Sequence, residues 1–448
     1  MNPLYNAGIA LYRTAAHVAA CRSDKVSRML RGQASALDDI ARVRQTRAAE
    51  GFDYWFHAAS LGEFEQARPL IEAIRRRCPN ASICLSFFSP SGYEVRKDYS
   101  KVDCVVYLPF DTPSRARTFV DAIAPRTAIF VKYEFWGNIL QTLFRRNVPT
   151  LLISSIFRPG QIFFKPWGGQ FRRILRCFSK IYVQDEDSQR LLRGIGLQNI
   201  TVAGDTRFDR VTDIMAAAKP LPAVDRWLAD SPFTLIVGSS WPQDEERYIP
   251  WLNANHPVRA IVAPHEFDNK RIARLAENFD GRVMLWSQLA SDREIPADTQ
   301  ILIIDTFGLL SSLYRYGHAA IIGGGFGAGI HNINEAAVYG IPVIFGPNNG
   351  KFREAAGLIG AGGGFQYEDA ASLKAILDSL SGLSGPGQCN PGLETFTSGQ
   401  MSESAQADAV QSLNADNQVR ISAGQAAARY IQSHLGATNH ILRDLFPS

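Results

Sequence analysis

Short apolar runs rich in β-branched residues alternate with amphipathic stretches from residue 53 onward. Seven of these runs have the length and composition of strands, at 54–60, 83–89, 104–110, 127–133, 150–155, 180–184 and 200–204. Helical patterns separate most of them, and this alternation is typical of βαβ units in a parallel sheet. The first half of the chain is therefore predicted to form a doubly wound α/β domain.

The strand pattern stops near residues 215–232, where the segment AAAKPLPAV indicates a linker. Six more candidate strands follow at 233–240, 258–264, 282–286, 301–305, 318–324 and 342–346. They predict a second doubly wound domain of similar size. Because ligands of such sheets bind beyond the carboxyl ends of the strands, two facing domains predict a cleft between them.

The two ends of the chain depart from this pattern. Residues 1–21 carry an apolar stripe at helical spacing, and a basic cluster follows at 22–31. The stretch is too polar and too short for a membrane span, and the order of apolar and basic residues does not suit a signal peptide. A helix lying on an anionic membrane surface and a helix packed on the protein's own first domain both remain open.

Near the other end, residues 381–417 are rich in Ser, Gly, Asn and Gln. This composition predicts a long mobile loop or insertion, followed by a closing helix at about 418–436.

Charge and cysteine content narrow the class of protein. The 448 residues carry a net charge of +4, and the whole excess lies within the first 50 residues. The rest of the chain is balanced, whereas a nucleic-acid binder usually carries a basic face on its main domain. The six cysteines form no CxxC pair and have no metal-ligand spacing, which fits reduced thiols in the cytosol. No motif indicates a metal site.

Three charged residues of the first half follow predicted strands. Glu63 comes after the strand and turn of HAASLG, where it is either a general base or a helix cap. Glu134 lies in the aromatic cluster of VKYEFWGN, as an acid of altered pKa or a solvated loop residue. Arg207 in VAGDTRFDR either binds an anion across the cleft or forms an interdomain salt bridge with Asp205 or Asp209.

The second half contains two turns that suit anions. Ser239 and Ser240, in GSSWPQDEE, form either an anion-binding turn or simply a good helix start. The segment IIGGGFGAGIHNINEAA, from 321, places a glycine-rich loop between a strand and a helix, and Glu335 lies where it can accept from ribose hydroxyls. With the following strand and GP turn, this segment predicts a nucleotide-sugar site, although it is not a dinucleotide fingerprint. His265 is a candidate ligand contact, and His57 is interpreted as a core residue.

Taken in order, HAASLGE, EFWGN, VAGDTRFD and GGGFGAGIHNINEAA…PVIFGP resemble the 3-deoxy-D-manno-octulosonic acid (Kdo) transferases over nearly the whole chain. The resemblance implies a GT-B fold, with two Rossmann-like domains facing a central cleft and an N-terminal amphipathic helix. It divides the chain into a membrane-associating segment (1–50), an acceptor-binding domain (51–212) and a donor-binding domain (213–448).

The resemblance also implies roles for individual residues. Glu63 becomes the general base, and Glu134 and Arg207 stabilise the transition state. The CMP part of the donor contacts three turns: His265 and Glu266; Phe307, Gly308 and Leu309; and Asn332, Ile333, Asn334 and Glu335. Four positions depart from the family's pattern. His265-Glu266 replaces Arg-His, Leu309 replaces an acid, Arg207 replaces a lysine, and Lys132 replaces an acid.

The implied activity is inverting transfer of Kdo from CMP-Kdo to lipid A precursor (lipid IVA), in lipopolysaccharide core biosynthesis. It needs no cofactor and involves no nucleic acid. The implied location is the cytoplasmic face of the inner membrane, held by a monotopic or single N-terminal anchor. Two alternatives remain: another GT-B nucleotide-sugar enzyme, such as a UDP-sugar transferase or epimerase, and a non-catalytic nucleotide-sugar binder. An NAD-dependent dehydrogenase is disfavoured because the dinucleotide fingerprint is missing.

Overall fold

The computed structural model describes residues 3–47, 50–255, 257–289, 294–382 and 403–446, with the backbone alone over 403–417. The chain divides into two compact units. The first contains Met1–Arg210 and His434–Ser448, and the second contains Val211–Ser433. Residues 1–50, expected as a separate segment, thus fall within the first unit.

Seven parallel strands form the sheet of the first unit. They are β1 (Tyr54–Ala58), β2 (Ile83–Phe87), β3 (Cys104–Tyr107), β4 (Thr127–Val131), β5 (Thr150–Ser155), β6 (Lys180–Val183) and β7 (Ile200–Val202). Their order is β3-β2-β1-β4-β5-β6-β7. The chain therefore winds outward to β3, returns beside β1 as β4, and winds outward again on the other side. Ligands of such sheets bind where the order reverses, here between β1 and β4.

The second sheet is similar, except that its fourth strand lies between its second and third. Its strands are β8 (Thr234–Ser240), β9 (Arg259–Pro264), β10 (Arg282–Leu285), β11 (Thr299–Ile303), β12 (Ala319–Ile322), β13 (Val343–Phe345) and β14 (Gly364–Gln366). All neighbours are parallel, in the order β10-β11-β9-β8-β12-β13-β14, so the order reverses between β8 and β12. The prediction of two doubly wound α/β domains is confirmed.

Helices connect the strands and cover both sheets. Up to the first unit's boundary they are α1 (Pro3–Ala20), α2 (Asp24–Arg47), α3 (Leu61–Arg77), α4 (Pro90–Arg96), α5 (Pro113–Ile123), α6 (Gly137–Arg145), α7 (Gly169–Leu175), α8 (Glu186–Gly194) and α9 (Thr206–Ala217). After it they are α10 (Pro222–Leu228), α11 (Pro242–Ala254), α12 (Asn269–Glu277), α13 (Leu310–Leu313), α14 (Asn334–Ala337), α15 (Arg353–Gly360), α16 (Ala370–Ser381), α17 (Glu403–Ser433) and α18 (Ala437–Leu445). Four short 3₁₀ turns lie at 162–164, 166–168, 286–288 and 314–316.

Both faces of the first sheet are buried, which explains its continuous apolar strands. Side chains of β1 alternate between two cores: Trp55 packs with residues of α2, α5 and α6, whereas Phe56 and Ala58 pack with residues of α3 and α18. The polar residue of this strand, His57, is fully buried as well. A buried polar ring needs hydrogen-bonding partners, and they lie in the site described below.

The C-terminal region differs from the expectation. Residues 383–402, within the expected loop or insertion, lie outside the described residues, but the closing helix begins at Glu403 rather than at 418. The polar composition of this segment predicted a loop, but Ala, Gln and Glu are also good helix formers. Residues 434–448, assigned above to the second domain, belong to the first unit. Ile441 is buried in its core, and Asp209 accepts hydrogen bonds from the Gly436 and Thr438 backbone N–H groups, at 2.6 Å each.

The N-terminal helix α1 is attached to the first unit along one side only. Ala16 is buried, and the Tyr5 hydroxyl donates to Asp111 at 2.6 Å. The opposite side leaves Leu4, Leu11 and Val18 exposed, by 77%, 72% and 68%. No helix among the described residues combines the length and the apolar character that crossing a membrane requires.

Candidate active site and nucleotide site

Glu63 lies where β1 passes into α3. Ser60 caps the helix, and its Oγ accepts from the Glu63 backbone N–H at 3.5 Å. The Glu63 side chain folds back, so that its Oε2 accepts from the Ala59 N–H at 2.5 Å. Glu63 is therefore part of the helix start, which is one of the two interpretations that the sequence left open. Whether its carboxyl group is ionised depends on burial and on the nearby charges.

The environment of Glu63 opposes its ionisation. Burial, and then the nearby Glu134 carboxylate, raise the pKa of Glu63 to about 7, against the lowering effects of the Ala59 N–H, His57 and Lys132. A carboxyl group with a pKa near the working pH can accept a proton during a reaction. The site thus offers a carboxyl group suited to general base catalysis.

Glu134 follows β4, the other strand at the point where the sheet order reverses. Lys132 directly follows the strand and has a left-handed φ of 62°. The Glu134 side chain is buried, with Oε2 accepting from Trp136 Nε1–H at 2.6 Å and lying 2.8 Å from His57 Nε2. The structure thus brings Glu63 and Glu134 together, and it adds His57 and Trp136 to them.

Arg207 forms an ion pair inside the first unit. Its Nε and Nη2 donate to Asp205 Oδ2 at 3.0 and 2.8 Å. Gln66 and Gln184 also donate to the Asp205 carboxylate, at 3.1 Å. Burial alone raises the pKa of Asp205, but Arg207 outweighs that effect and holds it below its ordinary value. The predicted salt bridge to Asp205 is present, and it lies within one unit rather than between two.

The glycine-rich loop of the second unit follows β12 and is tightly packed. Gly324 has a φ of 93°, and a Cβ added to Gly325 would lie 2.5 Å from the Gly346 Cα. Only glycine fits such a close approach of two backbones. The Asp244 carboxylate accepts from both the Gly324 N–H (2.9 Å) and the Trp241 N–H (3.0 Å). One carboxylate of the chain therefore joins the loop to the start of α11.

The predicted anion turn at Ser239 and Ser240 comes just before the start of α11. The Ser240 hydroxyl is buried and lies 3.1 Å from both Glu245 Oε1 and the Tyr248 hydroxyl. Ser239 has a left-handed φ of 54°. The contacts of Ser240 and Asp244 are those of a capped helix start, the alternative that the sequence left open.

Three aromatic rings stack beside this turn. The Trp241 and His265 rings lie 4.4 Å apart between centroids, and the His265 and His331 rings 4.5 Å apart. Trp241 Nε1–H donates to His331 Nε2 at 3.2 Å. Burial, together with His265, lowers the pKa of His331 to about 4, so this ring is neutral. Sequence reasoning found His265 but missed the other two, although both lie in motifs it had singled out.

The remaining predicted donor residues follow neighbouring strands of the second sheet. After β9, Glu266 is exposed, and after β11, Phe307 is 83% exposed, with its ring 4.2 Å from that of Phe267. Gly308 has a φ of 89°, and Leu309 directly precedes α13. These turns therefore lie at one edge of the sheet, beyond β11, β9, β8 and β12.

The segment 332–335 mixes exposed and buried residues. Asn332 is exposed, and its Nδ2 donates to Glu335 Oε1 at 2.9 Å. The side chain of Ile333 is buried in the core, so only its backbone could touch a ligand. Asn334 is fully buried, and among the described residues neither its Nδ2 nor its Oδ1 has a partner. A buried amide with no partner is rare and calls for an explanation.

Comparison with known proteins agrees with these motifs. Residues 28–210 match the family model of 3-deoxy-D-manno-octulosonic-acid transferase (kdotransferase). The Aquifex aeolicus 3-deoxy-D-manno-octulosonic acid transferase is 25% identical over 73% of this chain and 85% of its own length. The enzyme of the same name from Bordetella pertussis is 28% identical over 70% and 76%, and that of Haemophilus influenzae 26% over 67% and 72%.

Solved structures share the fold. A putative UDP-N-acetylglucosamine 2-epimerase from Listeria monocytogenes superposes with a TM-score of 0.51 at 12% identity, over 89% of this chain and 97% of its own. The UDP-GlcNAc 2-epimerase of Neisseria meningitidis gives the same score and identity, over 88% and 100%. At this identity the likeness concerns architecture alone. The family model and the sequence relatives show that the chain is similar in sequence to Kdo transferases, and they support glycosyltransferase activity.

Proposed function

We propose that this chain transfers Kdo from CMP-Kdo to a hydroxyl of lipid A precursor, lipid IVA, with inversion at the anomeric carbon and release of CMP. The observation that supports this most directly is the Glu63 carboxyl group, whose pKa lies at about 7 beside a second carboxylate. It follows β1 at the point where the sheet order reverses, the place where such sheets bind ligands.

In this proposal Glu63 accepts the proton of the acceptor hydroxyl as its oxygen attacks the anomeric carbon of Kdo. The bond from that carbon to the CMP phosphate breaks, and its electron pair leaves with the phosphate. Glu134 stabilises the oxocarbenium-like transition state through its negative charge. Arg207 offsets negative charge on the leaving phosphate or the Kdo carboxylate.

The second unit supplies the donor-binding residues. The exposed ring of His265 offers a surface for stacking, and Glu335 can accept hydrogen bonds from ribose hydroxyls. The unpartnered amide of Asn334 can both donate to and accept from a bound nucleotide. Backbone N–H groups of the glycine-rich loop remain the candidates for the phosphate.

The deciding experiment is CMP release from CMP-Kdo in detergent, with and without lipid IVA. We expect release that depends on the lipid and a product that carries Kdo. Binding of CMP without turnover would contradict the proposal and favour a nucleotide-sugar binder. Competition separates the remaining alternative, because CMP should inhibit the reaction and UDP should not.

We further propose that α1 holds the enzyme on the cytoplasmic face of the inner membrane. Leu4, Leu11 and Val18 line its exposed side at intervals of seven residues. The first two turns of α2 carry Lys25, Arg28 and Arg31, of which the two arginines pair with Asp24. Exposed apolar helix faces with nearby cations bind anionic membrane surfaces. Exchange of these three residues for serine should abolish flotation with phosphatidylglycerol vesicles.

A control variant makes this membrane test specific. Val419 and Ile421 are exposed apolar residues of α17, at 43% and 54%. Their exchange for serine should leave flotation unchanged. Equal loss in both variants would contradict an anchoring role of α1.

A further inference from the structure

His57 is the polar residue of an otherwise apolar strand. Its ring is fully buried and packs edge-on against the rings of Phe130 and Trp136, with centroids 5.5 and 6.4 Å away. Burying a polar ring is unfavourable unless both nitrogens find partners. Both do in this structure.

Both ring nitrogens of His57 have hydrogen-bonding partners among the surrounding residues. Trp55 Nε1–H donates to Ser86 Oγ at 2.8 Å. His57 Nδ1 lies 3.0 Å from the Ser86 hydroxyl, which can donate to it, and 3.1 Å from the Ser86 carbonyl oxygen, which can only accept from it. On the other side of the ring, Nε2 lies 2.8 Å from Glu134 Oε2 and 3.0 Å from Trp136 Nε1, which lies closer to that carboxylate oxygen, at 2.6 Å. Because a carboxylate can only accept, Nε2 carries the hydrogen.

The Glu134 carboxylate is held through one oxygen. Trp136 Nε1–H donates to Oε2 at 2.6 Å, beside the hydrogen bond from His57. Among the described residues, the other oxygen, Oε1, has no hydrogen-bonding partner. Two donors on Oε2 therefore set the direction of Oε1, the oxygen open to a ligand.

We propose that His57 is a positioning residue of the transfer reaction: its Nε2–H donates to the Glu134 carboxylate and holds it oriented beside Glu63. Its kinetic test rests on the proposed function, whereas its spectroscopic test does not. The charged or titratable groups that act on Glu63 are Glu134, His57 and Lys132. Those in contact with Glu134 are His57 and, as a neutral donor, Trp136.

Loss of the hydrogen bond from His57 should shift the pH dependence of turnover in a defined direction. His57 is one of the groups that lower the pKa of Glu63, against burial and the Glu134 carboxylate, which raise it. Without His57 the pKa of Glu63 therefore rises, and its proton leaves at a higher pH. A residue that serves only packing would lower stability and leave the pH dependence of turnover unchanged.

The kinetic test compares His57→Leu with His57→Gln. The leucine variant should lose about tenfold or more in kcat, the size expected for a lost hydrogen bond to a charged group, with little change in KM. The acid limb of its kcat profile should move to higher pH. The glutamine variant, whose amide N–H replaces Nε2–H, should recover most of the activity and restore the acid limb.

Trp136→Phe keeps the test decisive if His57→Leu does not fold. It removes the second donor that holds Oε2, from a half-buried position, so Glu134 loses its orientation and kcat should fall with little change in KM. An unchanged kcat in Trp136→Phe, or an unchanged acid limb in a folded His57→Leu, would overturn the proposal.

A spectroscopic measurement reads the hydrogen itself. The chain contains eight histidines, and labelling them with ¹⁵N allows the His57 signals to be assigned by their absence from His57→Gln. We expect a protonated Nε2 whose hydrogen exchanges slowly with solvent. An unprotonated Nε2 would overturn the proposal. Because this measurement needs no turnover, failure of Kdo transfer in the wild type would refute the proposed function separately.

Discussion

The candidate sites at the edges of the two sheets differ in how far their buried polar groups have hydrogen-bonding partners within the protein. In the first unit, His57 and Trp136 both form hydrogen bonds with one oxygen of Glu134, and burial and the Glu134 carboxylate raise the pKa of Glu63. In the second unit, the buried amide of Asn334 and the hydroxyls of Thr306 and Tyr339 have no partners among the described residues.

This difference follows from what each site must do. A proton-accepting group works only if its environment fixes its protonation before the substrate arrives. A binding site for a polar ligand instead leaves donors and acceptors for the ligand to complete. Under the proposed function, the first site is preorganised around a charge, and the second leaves buried polar groups for a nucleotide to complete.

Removal of the proton acceptor is the strongest test of preorganisation. Glu63→Gln should lower kcat by about 10²–10⁴-fold, the usual contribution of a general base, without loss of the fold. The matched control is Glu65→Gln, two residues further along α3, where the side chain pairs with Arg96 and Arg68. Near-normal turnover of Glu63→Gln, or an equal loss in both variants, would contradict the assignment.

The same substitution should show how much the buried Glu63 carboxylate destabilises the folded protein. The pKa of Glu63 rises from 4.5 to about 7 in the folded chain, so the folded state binds the proton more tightly than the unfolded one. Its stabilising effect is present below pH 4.5 and is lost as the pH rises through 7. At pH 8, Glu63→Gln should therefore be more stable by about 1–3 kcal/mol.

Thermal unfolding of the two proteins from pH 4 to 8 measures this difference. The melting temperatures should converge at the acid end and separate above pH 7. If the two melting temperatures changed with pH in parallel, ionisation of Glu63 would not destabilise the folded protein.

In the second site, an apolar residue should stabilise the unit and impair binding. Asn334→Leu removes two unpartnered buried groups, so the free energy of unfolding should rise by about 1 kcal/mol. CMP affinity, measured by calorimetry, should fall about tenfold if the amide awaits the nucleotide. Gln300→Leu is the control: it is buried with an unpartnered Oε1, but it lies near the start of β11, at the other end of the strands. Unchanged CMP affinity in Asn334→Leu would contradict this interpretation.

The smallest effect is expected at Ser240, where the second site is already satisfied. Its hydroxyl interacts with Glu245 and Tyr248, so Ser240→Ala should lower the free energy of unfolding by about 1 kcal/mol. The KM for CMP-Kdo should stay within about twofold. A large rise in KM would restore the anion-binding role of this turn.

Much of the fold was predictable because buried parallel strands are recognisable as apolar runs. The thirteen predicted strands are present, with ends within three residues of the structure. The missed strand, β14, begins in the glycine-rich segment AGGGF, which lacks β-branched residues. Its place depends on pairing with β13, a contact that no local pattern encodes.

The site was predictable where position along the chain decides it. Glu63 and Glu134 each follow a strand, so the topology alone brings them to one edge of the sheet. The role of His57 was not predictable, because it depends on the pairing of β1 with β4, which sets His57 beside Phe130. The available signal was a histidine on the same face as Trp55 in a buried strand, since such a residue requires a distant partner.

The return of residues 434–446 to the first unit has a consequence for how the protein is made. Ile441 completes one of that unit's cores, and Asp444 binds Lys180 and Tyr182 at 2.5 and 2.6 Å. Domains usually fold in order as they leave the ribosome. Here the amino-terminal unit stays unfinished until the last helix has been translated. A protein fragment that ends at Arg210 lacks α18, so part of its first sheet should stay uncovered. A stable version of this unit needs α18 fused to it.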